Sequence, residues 1–576
     1  MLGSIRSYFY RFKKLQAPLE KYLFPLVLLL YPLIGADQGL DISDTAYSLT
    51  NFEFLSGIDP MWAISTFVSN LTGSLLMKLP FAGTMLGMNI YCSLIISITS
   101  LLAYYLLRKW MPGWMIFIGL FIAESLCWCP PVILYNYLTY LLFTLGVAFL
   151  FMGMFEWERE KPYLFLAGVF FGLNVMVRFP NIVEAAMICV LWFYEAVTGD
   201  RFGQAVKKTF ICIGGYAVGV LVPYVIILFM YGPGAYLNMI GSLFGMTGQA
   251  SDYKAGGMLS SIFEAYLTSA SNMIIMIPCI AAGIIMFTLL PGRYVRIKKL
   301  LYIAGLLVLI RFYFGRGVFT RNYYYYDSVF QAGMMFVIFA VLFLIIGSSG
   351  ILNGSRQEQT LSFGGLMVIL ITPIGSNNYT FPVLNNLFIA APVMLWMMRR
   401  LMQRMGDRDH NFSWQGMVTM VIAVLIIQGI FFHAGFAFGD GDDGQIRDSK
   451  SRIPKVSAMS TTSSNAKSLD ELYDFLGDNG FLEDKVILFG DIPGISYVFD
   501  MEPAIDTAWP DLDSYSADKF EMQLNSLGDE QHPLVVTQTE LPGHANTLKK
   551  YDILLDYIAS NDYNKVFENE RYTVYH

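Results

Sequence analysis

Apolar residues recur through the first three quarters of the chain in continuous runs, not in alternation. About thirteen such segments begin near residues 21, 82, 113, 132, 162, 181, 209, 271, 299, 329, 360, 386 and 415. Runs of about 18 residues or more are long enough to cross the hydrocarbon core of a bilayer. Lipid cannot satisfy open backbone groups, so the segments are expected to be α-helices. A membrane β-barrel would alternate in polarity, and these runs do not. The last run ends near Gly435, and the pattern then changes. The helix-like stretches "SLDELYDFLGD", "ADKFEMQLNSLG" and "ANTLKKYDILLDYIAS" alternate with the strand-like "KVILFG", "PLVVTQ" and "RYTVYH". That order predicts a small α/β domain. The expected division is a multi-spanning membrane domain over 1–435, a linker over 436–465 and a soluble α/β domain over 466–576.

Composition supports this division. The 576 residues are 55% hydrophobic and only 14% charged, with a mean hydropathy of +0.50. The basic start "RSYFYRFKK" precedes "YLFPLVLLLYPLIGA" with no small-residue cleavage site after it, which predicts a retained first span. All six cysteines lie in or beside apolar segments, as buried thiols do, and not in the spacing of a disulfide framework. "GDGDDG" lacks the spaced ligands and closing Glu of a calcium loop and reads as solvated linker. A net charge of −7 gives no basis for a nucleic-acid partner.

The distribution of charge adds an orientation. Arg6 to Lys14, Arg108 and Lys109, Arg159 and Lys161, Arg201 to Lys208, Arg293 to Lys299, and Arg399 to Arg408 all fall on one side when the segments are counted in order. The positive-inside rule makes that side the cytoplasm, with the N-terminus in and the tail out. The tail from 436 onward has 11 Lys and Arg against 26 Asp and Glu, a balance of −15. The remainder carries +8.

On the outer side, the loop over 37–80 carries Asp37, Asp41, Asp44, Glu53 and Asp59 and has no Lys or Arg before Lys78. Asp41 and Asp44 are three residues apart, which places both on one face of a helical turn. A carboxylate there can take the proton of a hydroxyl or hold a divalent metal; a plain solvated loop is the alternative. Against the charge rule, Arg178 ("VMVRFPN") and Arg311, Arg316 and Arg321 ("RFYFGRGVFTRNYYYYD") also fall outside. Arginine is the side chain best shaped for bidentate phosphate recognition. Asn377 and Asn378, in "TPIGSNNYTFPVLNN", can hydrogen-bond a sugar or phosphate, or cap helix ends. "MIGSLFGMTGQASDYKAGGM" has the makings of a mobile loop over a lipid site.

The first loop resembles that of the GT-C superfamily of polyprenyl-phosphate-sugar-dependent glycosyltransferases, which includes protein O-mannosyltransferases and lipid A aminoarabinose transferases. The family pattern is an acidic residue, an aromatic a few positions on, a Gly-Asp-like turn and a Lys-Pro-like element. Here it reads Asp44, Tyr47, Gly57 to Asp59, and Lys78-Leu79-Pro80 with one residue inserted. Several relatives carry Asp-Glu at the acidic position, whereas Asp44 is followed by Thr45. The resemblance covers roughly residues 1–435. It implies about 13 transmembrane helices and transfer of a sugar from a polyprenyl-phosphate carrier to a lipid, glycan or protein acceptor at the outer face of a bacterial plasma membrane. Asp44, with Asp41 in reserve, would be the base of an inverting displacement. Lys78, Arg178 and an arginine from 311 to 321 would hold the lipid phosphate, beside Tyr47, Asn377 and Asn378. No metal cofactor is expected, although some members use one. The competing reading is a transporter or flippase for a lipid-linked saccharide, against which no internal repeat is found.

Overall fold

A computed structural model describes residues 16–576, apart from 128–129, 200–201, 248–254, 377, 407, 441–444, 529–531 and 542–544. The basic start, Asn377 and most of "GDGDDG" therefore lie outside the described residues. A helix overlaps each of the apolar segments. Among the described residues, seven helices are long and apolar enough to cross a membrane, namely Met85–Leu107, Leu134–Phe155, Phe179–Thr198, Phe202–Tyr231, Gly257–Leu289, Phe330–Ser348 and Asp409–Gly435. Others are shorter, such as Gly113–Ser125, or carry charge, as Val295–Gly315 does with Arg296, Lys298, Lys299 and Arg311. The first apolar segment, over 19–33, changes helix type twice, with Pro25 and Pro32 each early in a new piece. Proline has no N–H to continue the ladder.

Helices Glu160–Val175 and Phe202–Tyr231 pack backbone to backbone. Gly168 and Gly172 on the first, and Gly215 and Gly219 on the second, face the other helix's backbone, so that a methyl group at any of them would strike it. Small residues at four-residue spacing let membrane helices approach in this way.

Residues 37–80 are not an open loop. They form helices Asp44–Glu53, Pro60–Ser65 and Phe67–Leu76. The sequence hides them because each is short, and the first two are started by acids that lie before them. The Asp41 carboxylate accepts from the N–H groups of Ser43 at 2.9 Å and Thr45 at 2.7 Å. The Asp59 carboxylate accepts from Met61 N–H at 2.8 Å, with Pro60 in the first helical position. Helix Asp44–Glu53 buries Ala46, Leu49 and Phe52.

The tail contains a four-stranded sheet of β1 (Val486–Phe489), β2 (Leu534–Gln538), β3 (Lys565–Glu568) and β4 (Tyr572–Tyr575) in the order β1-β2-β4-β3. β1 and β2 run parallel and the other pairs antiparallel. Helices Ser463–Asp478, Ala517–Asn525 and Ala545–Ser560 accompany the sheet, and Ile487, Phe489, Phe520, Val535 and Leu554 form one core.

This unit sits directly on residues 37–59. Gly39 N–H donates to Ser460 O at 2.9 Å and Ser460 N–H to Asp37 O at 2.7 Å. Gly494 N–H donates to Ile42 O, and Asp59 N–H to Asp506 O, both at 2.8 Å. Lys455 pairs with Glu53 at 2.8 Å. Lys519, on helix Ala517–Asn525, pairs with both Asp59 and Asp506. Of the loop acids, Glu53 and Asp59 are thus fastenings for the tail. Lys519→Met is expected to speed limited proteolysis of the stretch between Gly435 and Ser463 about fivefold, the worth of one such pair; an unchanged cleavage rate would remove Lys519 from the fastening.

Candidate active site

Helix Asp44–Glu53 presents Asp44, Tyr47 and Asn51 to a cavity of about 540 Å³. Asp44 opens the helix and pairs with no Lys or Arg among the described residues. Burial pushes its carboxyl up to about 7, and the nearby charges of Asp41 and Asp491 add to the shift. A carboxylate of that affinity is matched to taking a proton near neutral pH.

Arg178 lines the same cavity. It sits in the break between helices Glu160–Val175 and Phe179–Thr198, where Pro180 prevents continuation of the helix. Its backbone is extended (φ −159°, ψ 122°). Nη2 reaches Gly375 O at 3.5 Å, while Nε is buried with no partner among the described residues. A guanidinium with donors to spare, beside a cavity, has the chemistry to hold an anion. Behind it lies a buried network. Asn174 donates to both oxygens of Glu184 at 2.7 and 2.9 Å, and Asn181 donates to Thr139 Oγ1 at 2.7 Å.

The tail contributes the remaining wall. Trp509 and Leu512 line the cavity, and the Trp509 ring meets Tyr47 edge-on at 5.4 Å. Their loop is held by the buried amine of Lys550, which donates to Pro510 O at 3.0 Å and Leu512 O at 2.7 Å. Leu243, Phe244 and Met258 give an apolar flank. They come from the ends of helices Ala235–Thr247 and Ala255–Met273, within the stretch expected to be a loop. Asn378 also lines the cavity.

The other expected residues lie elsewhere. Asp41 does not share a helix face with Asp44. It precedes the helix, and its oxygens are engaged by Ser43 and Thr45. It borders a separate cavity of about 100 Å³ with Glu124, Asn89 and Ser93. Lys78 is exposed on the turn after helix Phe67–Leu76 and lines neither cavity. Arg311 and Arg321 border an open concavity of about 420 Å³ that shares no residue with the Asp44 cavity, and Arg316 lies over the Phe312 ring at 5.6 Å. A shared side of the membrane places residues at one level, not next to one another. Glu124 and Glu184, each fully buried, escaped the sequence reading. The signal available was a lone acid inside an apolar run, as in "FIAESLC" and "NIVEAAM". Lys550 carried no local signal; Trp509 stands in the aromatic and Pro-turn stretch "FGDIPGISYVFDMEPAIDTAWPDL", which suits acceptor selection or docking on the membrane part, but only the docked fold brings it to this cavity.

Among the described residues no three His, Cys, Asp or Glu side chains converge in a way that would hold a metal ion.

No protein-family model and no curated protein matches the sequence. Among solved structures, the chain is similar to the archaeal oligosaccharyltransferase AglB from Archaeoglobus fulgidus in complex with an inhibitory peptide and a dolichol-phosphate. The TM-score is 0.48 and the identity 11%, over 92% of this chain and 70% of that one. It is also similar to ArnT from Cupriavidus metallidurans bound to undecaprenyl phosphate, with a TM-score of 0.49 and 8% identity over 96% of this chain and 97% of that one.

Proposed function

We propose that this protein transfers a sugar from a polyprenyl-phosphate carrier to an acceptor hydroxyl, with Asp44 as general base and Arg178 holding the phosphate. The observation that carries the reading is that an acid near neutral affinity and an arginine with unused donors line one cavity. In the proposed step the acceptor O–H gives its proton to Asp44 as its oxygen attacks the anomeric carbon. The bond from that carbon to the phosphate oxygen breaks, its electron pair leaves with the lipid phosphate, and Arg178 stabilises the charge that develops there. One displacement with no protein nucleophile inverts the anomeric centre. The apolar flank of Leu243, Phe244 and Met258 suits the start of a lipid chain. The rings of Tyr47 and Trp509, with the amides of Asn51 and Asn378, suit a sugar. In this reading the cavity and the tail face the outer side, which the Lys and Arg bias of the loops supports.

The test is reconstitution of the full chain in liposomes with a synthetic polyprenyl-phosphate sugar and an envelope extract as the acceptor source. Release of polyprenyl phosphate coupled to glycosylated product supports the reading. Movement of intact carrier across the bilayer without bond cleavage would replace it with the transporter reading. The pH profile gives a second check. Asp44 must be unprotonated to act, so kcat/KM is expected to rise about tenfold per pH unit below about 7 and to level off above it. A flat profile between pH 5 and 7 would contradict Asp44 as the base.

A further inference from the structure

We propose that the turn between helices Val295–Gly315 and Phe330–Ser348 seats the phosphate headgroup of an anionic membrane phospholipid between Arg311 and Arg321. The two residues border the open concavity of about 420 Å³, together with Thr320 and Asn322. Neither arginine forms an ion pair among the described residues. The Arg321 guanidinium lies over the Phe314 ring at 5.5 Å, which fixes a planar cation at the wall.

The surroundings say what meets these cations. Leu307 and Val308 are 61% and 70% exposed, as side chains facing lipid are. Arg311 follows them by four and three residues, so it continues the same stripe of the helix one turn nearer its end. Further along the same turn Tyr324, Tyr325 and Tyr326 are exposed, the residue type enriched where hydrocarbon meets headgroups. The turn is fastened to the bundle at the end where the tail begins. Gln428 Nε2 donates to Thr320 O at 2.9 Å, and the Phe431 ring stacks on Tyr323 at 5.6 Å. A bare arginine at that level is costly, and a phosphate with two acceptor oxygens relieves the cost. The concavity is wide, with Gly315 and Gly317 on its wall, and this shape fits a bilayer headgroup better than a selected carrier. The inference does not depend on the proposed reaction, because the Asp44 cavity shares none of these residues.

The experiment is native mass spectrometry of the full chain taken from nanodiscs of phosphatidylcholine doped with phosphatidylglycerol. The wild type is expected to retain phosphatidylglycerol preferentially. R311Q/R321Q is expected to lose that preference about 25-fold, or about fivefold per guanidinium. R311K/R321K, which keeps the charge but not the fork, is expected to fall between the two. R178Q is expected to retain lipid like the wild type. Wild-type retention by R311Q/R321Q would overturn the proposal, as would an equal loss in R316Q, which would mean diffuse surface charge. Displacement of the lipid by millimolar inorganic phosphate, or preferential exchange for added polyprenyl phosphate, would overturn the bilayer phospholipid as the occupant.

Discussion

Asp44→Asn is expected to lower sugar transfer by about 10²–10⁴-fold, the range for losing a positioned general base. Asparagine matches aspartate in shape, so the helix start and the cavity walls stay in place. The same substitution is expected to stabilise the protein at alkaline pH, and the sign follows from the shift. The folded-state affinity of Asp44, about 7, lies above the ordinary value of 3.8. The native state therefore holds this proton more tightly than the unfolded chain does, and the ionised form is disfavoured by folding. The resulting penalty is absent below about pH 4, grows as pH rises toward 7 and is complete above it. Asparagine carries no such penalty. Thermal melts of the two proteins should coincide near pH 4, with the variant melting higher at pH 8. A variant that is inactive and melts lower across the whole range would mean that Asp44 is a structural residue.

Arg178→Gln is expected to lower kcat/KM by about 10²–10³-fold, as for loss of one preorganised donor to developing charge. Product inhibition by polyprenyl phosphate should weaken in parallel, because the same guanidinium meets the phosphate before and after transfer. Arg178→Lys should recover only part of the loss, since an ammonium cannot offer the two parallel donors of a guanidinium. Initial rates over a series of carrier concentrations, with and without added polyprenyl phosphate, separate these effects. A variant with reduced kcat but unchanged product inhibition would move Arg178 away from the phosphate.

Much of this arrangement is legible in the chain, in proportion to how local each cause is. Continuous apolar runs announce the long helices because hydrocarbon imposes length and composition together. Asp44 and Tyr47 share one turn of helix, so their neighbourhood is written within four residues, and Arg178 is marked by the proline two positions on. The helices of residues 37–80 are less visible. They depend on caps from Asp41 and Asp59 and on the tail that covers them. Asp41 illustrates the limit well. In sequence it is a second candidate base, yet the backbone N–H groups of Ser43 and Thr45 occupy its oxygens. Charge counting assigned Arg311, Arg316, Arg321 and Lys78 to one side of a membrane but held no information on lateral position. Trp509 is farthest from any local rule, since it reaches the cavity from the tail, more than 450 residues along the chain from Tyr47.

The most direct measurement is an experimental structure of the full chain in lipid with polyprenyl phosphate bound. The phosphate is expected within hydrogen-bonding reach of the Arg178 guanidinium, inside the cavity that Asp44 lines, with its lipid chain leaving past Leu243 and Phe244. Polyprenyl phosphate seated instead between Arg311 and Arg321, or in the cavity of Asp41 and Glu124, with the Asp44 cavity unvisited, would contradict the assignment of the active site.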